Sequence, residues 1–270
     1  MITHFSQLQL QTVSIQGVKQ FYHDQLRFPV VYESDVEIWF QPTESFTLSF
    51  TEAAEPLVPV HFAFEVPYSE FENAVHWLQS TGNITLLKWS DGRMIDDFET
   101  GKNVYFRDGD GNLLEIIAHH YITEGILPAS GELKILYLRE VGFPVDSVTD
   151  FRELLVELFN FSLDKVYENF TFAIGGTAHA VITSKKRKWI PIAMTALSPT
   201  MNIIFGTSSS DFMEEVKTKL TAKGIHHEST EVGQLHFRLN GYSFYLKLTN
   251  FPANMPALLN LPYSKLPKHS

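Results

Sequence analysis

The chain of 270 residues contains no cysteine. Disulfides, zinc–thiolate centres and a cysteine nucleophile are therefore excluded. Cations are also scarce, with Lys+Arg 21 against Asp+Glu 31 and a formal net charge of −10 at pH 7. That balance disfavours a general nucleic-acid or anionic-membrane binder. No apolar run reaches the ~20 residues that a spanning helix needs. Residues 1–7 show no basic stretch followed by an apolar one, so a cytoplasmic protein without membrane contact is expected. There is no Gly-rich phosphate loop and no Gly-x-Ser-x-Gly elbow. With 44% hydrophobic and 19% charged residues the composition is globular, and the length suffices for two ordinary domains.

The most informative stretch is residues 104–117, in which two apolar runs flank Asp108-Gly-Asp-Gly-Asn112. Asp-Gly between apolar runs predicts a β-hairpin, because glycine accepts positive φ. In the second strand, Glu115 shares a face with Leu113 and Ile117. In a core or cavity an ionised glutamate needs a cation, a donor or a raised pKa; on an edge strand a surface ion pair suffices. The turn begins like a calcium loop, but Leu113 stands where that loop needs glycine.

Upstream, residues 5–12 alternate Gln and Leu, predicting a strand with Gln7, Gln9 and Gln11 on one face, toward solvent or a polar cavity. Val18, Phe21, Tyr22 and Leu26 have helical spacing, and strands follow near 28–31, 36–40 and 46–50. The order β-α-β-β-β then recurs. Residues 60–66 form a strand, a helix capped near Ser69 carries Phe71, Val75 and Leu78, and strands fall near 86–89, 103–106 and 113–118. The second half repeats the pattern, with Phe21 falling on Leu154 and Phe71 on Phe212; Asn240-Gly241 echoes the hairpin. The expected fold class is α+β, with four β-α-β-β-β units paired into two domains of curved, mostly antiparallel sheet. The expected domains are 1–122 and 133–250, with a linker at 123–132 and a surface tail at 251–270.

This arrangement resembles the vicinal oxygen chelate superfamily, which includes glyoxalase I, bleomycin-resistance proteins and extradiol dioxygenases. The resemblance rests on Phe21-Tyr22 with Leu26 and Phe28, on His61-Phe-Ala-Phe-Glu-Val66, and on Tyr105 to Glu115. The last is similar to the family's Asp-Pro-Asp-Gly-Asn-x-x-Glu hairpin, with Gly109 in place of proline. It implies a divalent metal (Fe, Mn, Ni, Co, Zn or Mg) in the N-terminal domain, held by Gln7, His61 and Glu115. A fourth ligand position falls near Ser49. It further implies an enzyme of lyase, isomerase or ring-cleaving dioxygenase type acting on a small oxygen-rich substrate. The alternative is a metal-free protein that sequesters a small molecule, as bleomycin-resistance relatives do. Glu115 and Tyr105 are the catalytic candidates, and Gln9, Gln11, Trp39, Trp89 and Arg93 the substrate-pocket candidates. Tyr105 reads as a core or cross-strand tyrosine, with a cavity wall the alternative. Glu140, Asn202 and Tyr245 occupy the matching positions in the second half, which reads as a degenerate supporting copy. A monomer or homodimer is expected. Lys185-Lys-Arg-Lys188 and His119-His120 read as solvated surface.

Overall fold

Four β-α-β-β-β units follow one another in a computed structural model that describes residues 1–265. The first unit comprises β1 (Ile2–Thr12), α1 (Ile15–Lys19), a π-helical continuation (Gln20–Gln25), β2 (Val30–Glu33), β3 (Glu37–Thr43) and β4 (Phe46–Glu52). The second comprises β5 (His61–Glu65), α2 (Phe71–Ser80), β6 (Asp96–Phe98), β7 (Gly101–Arg107) and β8 (Leu113–His119). The third comprises β9 (Tyr137–Val145), α3 (Val148–Phe159), β10 (Ser162–Asp164), β11 (Phe170–Gly175) and β12 (Ala178–Ser184). A small hairpin of β13 (Lys188–Trp189) and β14 (Met194–Thr195) leads to the fourth. That unit comprises β15 (Asn202–Thr207), α4 (Ser210–Ala222), β16 (His227–Ser229), β17 (Leu235–Leu239) and β18 (Tyr242–Leu248), followed by α5 (Met255–Leu258).

Local chemistry sets the element ends. Ser14, Ser147 and Ser209 cap α1, α3 and α4, each hydroxyl accepting from a backbone N–H in the first turn. Asn160, at φ 57°, stops α3. Asn240 and Gly241, at φ 49° and 86°, supply the two left-handed residues of the β17–β18 turn. Ser69 is not a cap; its N–H and hydroxyl both donate to Glu124. The strand expected near 86–89 is irregular, and β6 takes its place.

Within every unit the strands lie in the order second, third, fourth, first, with first and fourth parallel and the other neighbours antiparallel. The free edge of each first strand joins another first strand: β1 pairs with β15, and β5 with β9. The eight-stranded sheets therefore combine the first unit with the fourth and the second with the third. Pairing of consecutive units, implicit in domains at 1–122 and 133–250, is not what forms. All four units present the same kind of free edge, so side-chain periodicity cannot tell which edges meet. One apolar core joins both sheets and the helices, with Leu8, Phe50, Phe64, Phe143, Phe205 and Phe244 among its members. The C-terminal segment is also packed, since Phe251, Met255, Leu259 and Leu261 are buried with Ile122 and Tyr137. This corrects the expected surface tail as far as Tyr263; residues 266–270 lie outside the described residues. Among the described residues, no helix is long and apolar enough to cross a membrane.

Candidate metal centre

The sheet of the second and third units carries a cavity of about 600 Å3 on one face. Strand register explains which residues reach it. Tyr105 on β7 lies opposite Glu115 on β8, Glu115 opposite Ala63 on β5, Ala63 opposite Glu140 on β9, and Glu140 opposite His179 on β12. These five residues form one row. His61 precedes Ala63 by two, so it shares that face. Between Ala63 and Phe64 the β5–β9 register slips, leaving Arg139 as an extra residue on β9. Such a bulge lets adjacent side chains serve one face, and Arg139 and Glu140 both line the cavity.

His61, Glu115 and Glu140 are buried, and one ligand atom from each lies within 4.8 Å of the others. His61 Nε2 is 3.5 Å from Glu115 Oε2 and 4.0 Å from Glu140 Oε2. Its Nδ1 lies 3.1 Å from the Leu113 carbonyl, which can only accept, so Nδ1 carries the proton and Nε2 presents its lone pair. Burial lowers the His61 pKa to about 4, keeping the ring neutral. Burial and mutual repulsion raise Glu115, while burial raises Glu140 against the pull of Arg139. Three potential ligand atoms thus converge, and the raised carboxylate pKa values reflect the cost of bringing two buried acids together.

The surroundings hold these donors in place. Asn103 Nδ2 donates to Glu115 Oε1 at 2.8 Å and to the Tyr105 hydroxyl at 3.1 Å. Arg139 donates to Glu65 at 2.9 Å and to Tyr121 at 2.9 Å, and its Nε lies 3.5 Å from Glu140. Glu65 also meets His119 Nδ1 at 3.0 Å. Counting Glu65, three buried carboxylates face one buried guanidinium, so two negative charges remain when all are ionised. A divalent cation matches that excess. One imidazole nitrogen and two carboxylate oxygens form a donor set suited to Mn, Fe, Co, Ni, Zn or Mg. On β12 the place corresponding to Glu115, opposite Gly142, is Val181, so the third unit supplies a single donor.

His61 and Glu115 come together as expected, but Gln7 does not join them. It lies on β1 in the other sheet, where its Nε2 donates to Ser49 Oγ at 3.0 Å. Glu140 stands in its place. Gln9 and Gln11 share the β1 face, with Gln9 bonded to Glu37, Thr51 and Asn202. Trp39 donates to Glu37 in that same sheet. None of these four belongs to the cavity. Trp89 packs on Tyr105 and under Arg93, and Arg93 is engaged by Asp91 and Asp96; neither Trp89 nor Arg93 lines the cavity. Tyr105 does line it, beside Glu115.

Neither a family model nor a curated protein matches the sequence. Solved structures do. A candidate dioxygenase from Bacillus subtilis superposes with a TM-score of 0.67 over 96% of this chain and 90% of its own, at 12% identity. Glyoxalase I from Zea mays superposes with a TM-score of 0.54 over 90% and 91%, at 11% identity, and its V278E variant with 0.60 over the same shares. This chain has the vicinal oxygen chelate fold. At such identities the likeness establishes the vicinal oxygen chelate architecture, including its paired units, and leaves the chemistry to the residues themselves.

Several residues that line the cavity carry no clear signal in the sequence. Glu140 matches Gln7 in the repeat but lies in the half whose pattern reads as degenerate. The adjacent pair Arg139-Glu140 in an otherwise apolar strand was the available signal. His119, read as surface, is buried against Glu65, while His120 is exposed. His179 Nε2 is buried without a hydrogen-bond partner among the described residues and lines the cavity; its sequence context, Ala-His-Ala, carried no cue.

Proposed function

We propose that the chain is a divalent-metal-dependent enzyme of lyase, isomerase or dioxygenase type, acting on a small oxygen-rich molecule, with the ion held by His61, Glu115 and Glu140. The observation that carries this reading is the convergence of a neutral imidazole lone pair and two buried carboxylates on one point of the cavity. A bound cation would supply Lewis-acid stabilisation of negative charge on substrate oxygens.

The protein's own groups prepare the rest. Burial and the nearby Glu115 and Glu140 charges hold the Tyr105 phenol well above its ordinary pKa, so its hydroxyl stays a neutral proton donor beside the site. Asn103 fixes both Tyr105 and Glu115 by donating to each. Leu113, Val181 and Trp189 exclude water from the adjoining wall. Trp189 stands over His61, with ring centroids 5.0 Å apart.

Thermal unfolding tests the reading. A ligand that binds only the folded state at 1,000 times its Kd adds about 4 kcal/mol of stability. Adding Mn2+, Zn2+ or Ni2+ to stripped protein is expected to raise Tm by several degrees, reversibly with EDTA. Indifference of Tm to all the candidate metals and to EDTA would support the metal-free binding protein instead.

A further inference from the structure

The run Lys185–Lys188 does more than solvate a loop. It leads into the β13–β14 hairpin, which reaches over the cavity from the connection between the third and fourth units. Arg187 and Lys188 line the opening, as does Lys165 from the turn between β10 and β11. The Arg187 guanidinium lies 4.7 Å from the Phe170 ring centroid, and Lys165 Nζ lies 5.6 Å from that of Phe172. Both rings belong to the cavity wall. Cation–π contact fixes a cation without neutralising it.

Among the described residues, none of these three cations forms an ion pair, whereas Lys185 meets Asp146 at 2.9 Å. The same lining also holds acids, Glu115 and Glu140 at the donor cluster and two further aspartates. Asp96 is engaged by Arg93, and Asp164 Oδ1 accepts the Lys165 backbone N–H at 2.8 Å. A chain of net charge −10 thus places three cations, none in an ion pair among the described residues, around one cavity. Such a local field concentrates anions there. Between the opening and the donors run Phe170, Phe172, Val181, Leu113 and Trp189, an apolar and largely aromatic wall.

We propose that the site selects a small, flat organic anion. Its acidic group lies at Lys165, Arg187 and Lys188, its apolar body along the Phe170–Trp189 wall, and its oxygen-bearing end at His61, Glu115 and Glu140. The inference rests on the metal-centre reading for that last contact only.

The test uses two probes that share vicinal oxygens and differ in charge, 3,4-dihydroxybenzoate and 3,4-dihydroxybenzamide, titrated calorimetrically without oxygen into the full Zn2+-loaded chain. The carboxylate is expected to bind on the order of 10-fold more tightly at low salt, and the preference to shrink toward parity near ~0.5 M NaCl. The Lys165→Gln/Arg187→Gln/Lys188→Gln variant should lose the preference while binding the amide as before; Lys185→Gln should keep it. Equal binding of the two probes, binding of neither, or a preference that survives the triple substitution would overturn the proposal. Failure to load Zn2+ counts against the metal reading alone, and the same comparison on metal-free protein still decides anion selection.

Discussion

Glu140 and Gln7 occupy matching positions in two repeated units, yet their surroundings differ sharply. Glu140 is buried beside Arg139 and His61, whereas the Gln7 amide spends its donor on Ser49 in a half-buried ladder. If Glu140 holds the proposed ion, its removal takes away both a donor and a charge that draws the ion in. Glu140→Gln is therefore expected to weaken metal binding on the order of 100-fold or more, judged against the 10–100-fold cost of losing outer-shell support. Gln7→Ala should leave it unchanged, as competition titration with a chromophoric chelator would show. Gly142 is a second decisive residue. A Cβ there would come within 2.7 Å of Trp189 and 3.2 Å of the His61 Cβ. Gly142→Ala should cost about 1–3 kcal/mol in urea unfolding and displace the indole from the His61 ring, visible as a changed tryptophan emission. An unchanged stability and spectrum would show that the wall is looser than the distances imply.

At the scale of elements, the bulge on β9 decides which of its side chains reach the cavity. Without the extra residue, Arg139 and Glu140 would point to opposite faces, and Arg139, two residues from the Tyr137 that lies opposite Glu65, would keep the cavity face at the expense of Glu140. Breaking a buried pair from one side costs about 3–5 kcal/mol, because the remaining charge is stranded. Arg139→Met should destabilise the protein by that order. Adding Glu65→Gln should recover part of the loss, since the stranded charge is then removed. A double-mutant cycle in urea checks this; strictly additive effects would contradict the coupling. The hairpins of β7–β8 and β17–β18 follow from Asp-Gly and Asn-Gly turns, and the helix starts follow from serine caps. These elements were legible in the residues because their causes are local. The bulge was not, because a register slip shows only against the partner strand.

At the scale of the molecule, the repeat and the fold were readable from alternation and helical spacing, while the pairing of units was not. Identical free edges carry no address in their side-chain pattern, and Gln7, expected beside His61 and Glu115, lies in the other sheet. The third unit, which supplies Glu140, Arg139 and His179 to the cavity, reads in the sequence as a supporting copy. Acid sensitivity is a whole-molecule consequence of the buried histidines. Burial lowers His61 and His4 to about 4, below the ordinary value near 6.5. In stripped protein the unfolded chain takes up these protons first, so the stability from keeping the rings neutral is complete above pH ~6.5. It is lost as pH falls through about 4. Each ring contributes on the order of 3 kcal/mol. Urea midpoints measured between pH 7 and 4 should fall accordingly, and a flat profile would contradict the neutral, buried state.

The central claim is that His61, Glu115 and Glu140 form the metal centre. Elemental analysis of the untagged chain, after incubation with Fe, Mn, Ni and Zn salts and desalting, addresses it most directly when Glu140→Gln and Gln7→Ala are measured alongside. The expected result is near-stoichiometric metal in the parent and in Gln7→Ala, with little in Glu140→Gln. Metal retained by Glu140→Gln and lost from Gln7→Ala, or absent from all three, would contradict the account.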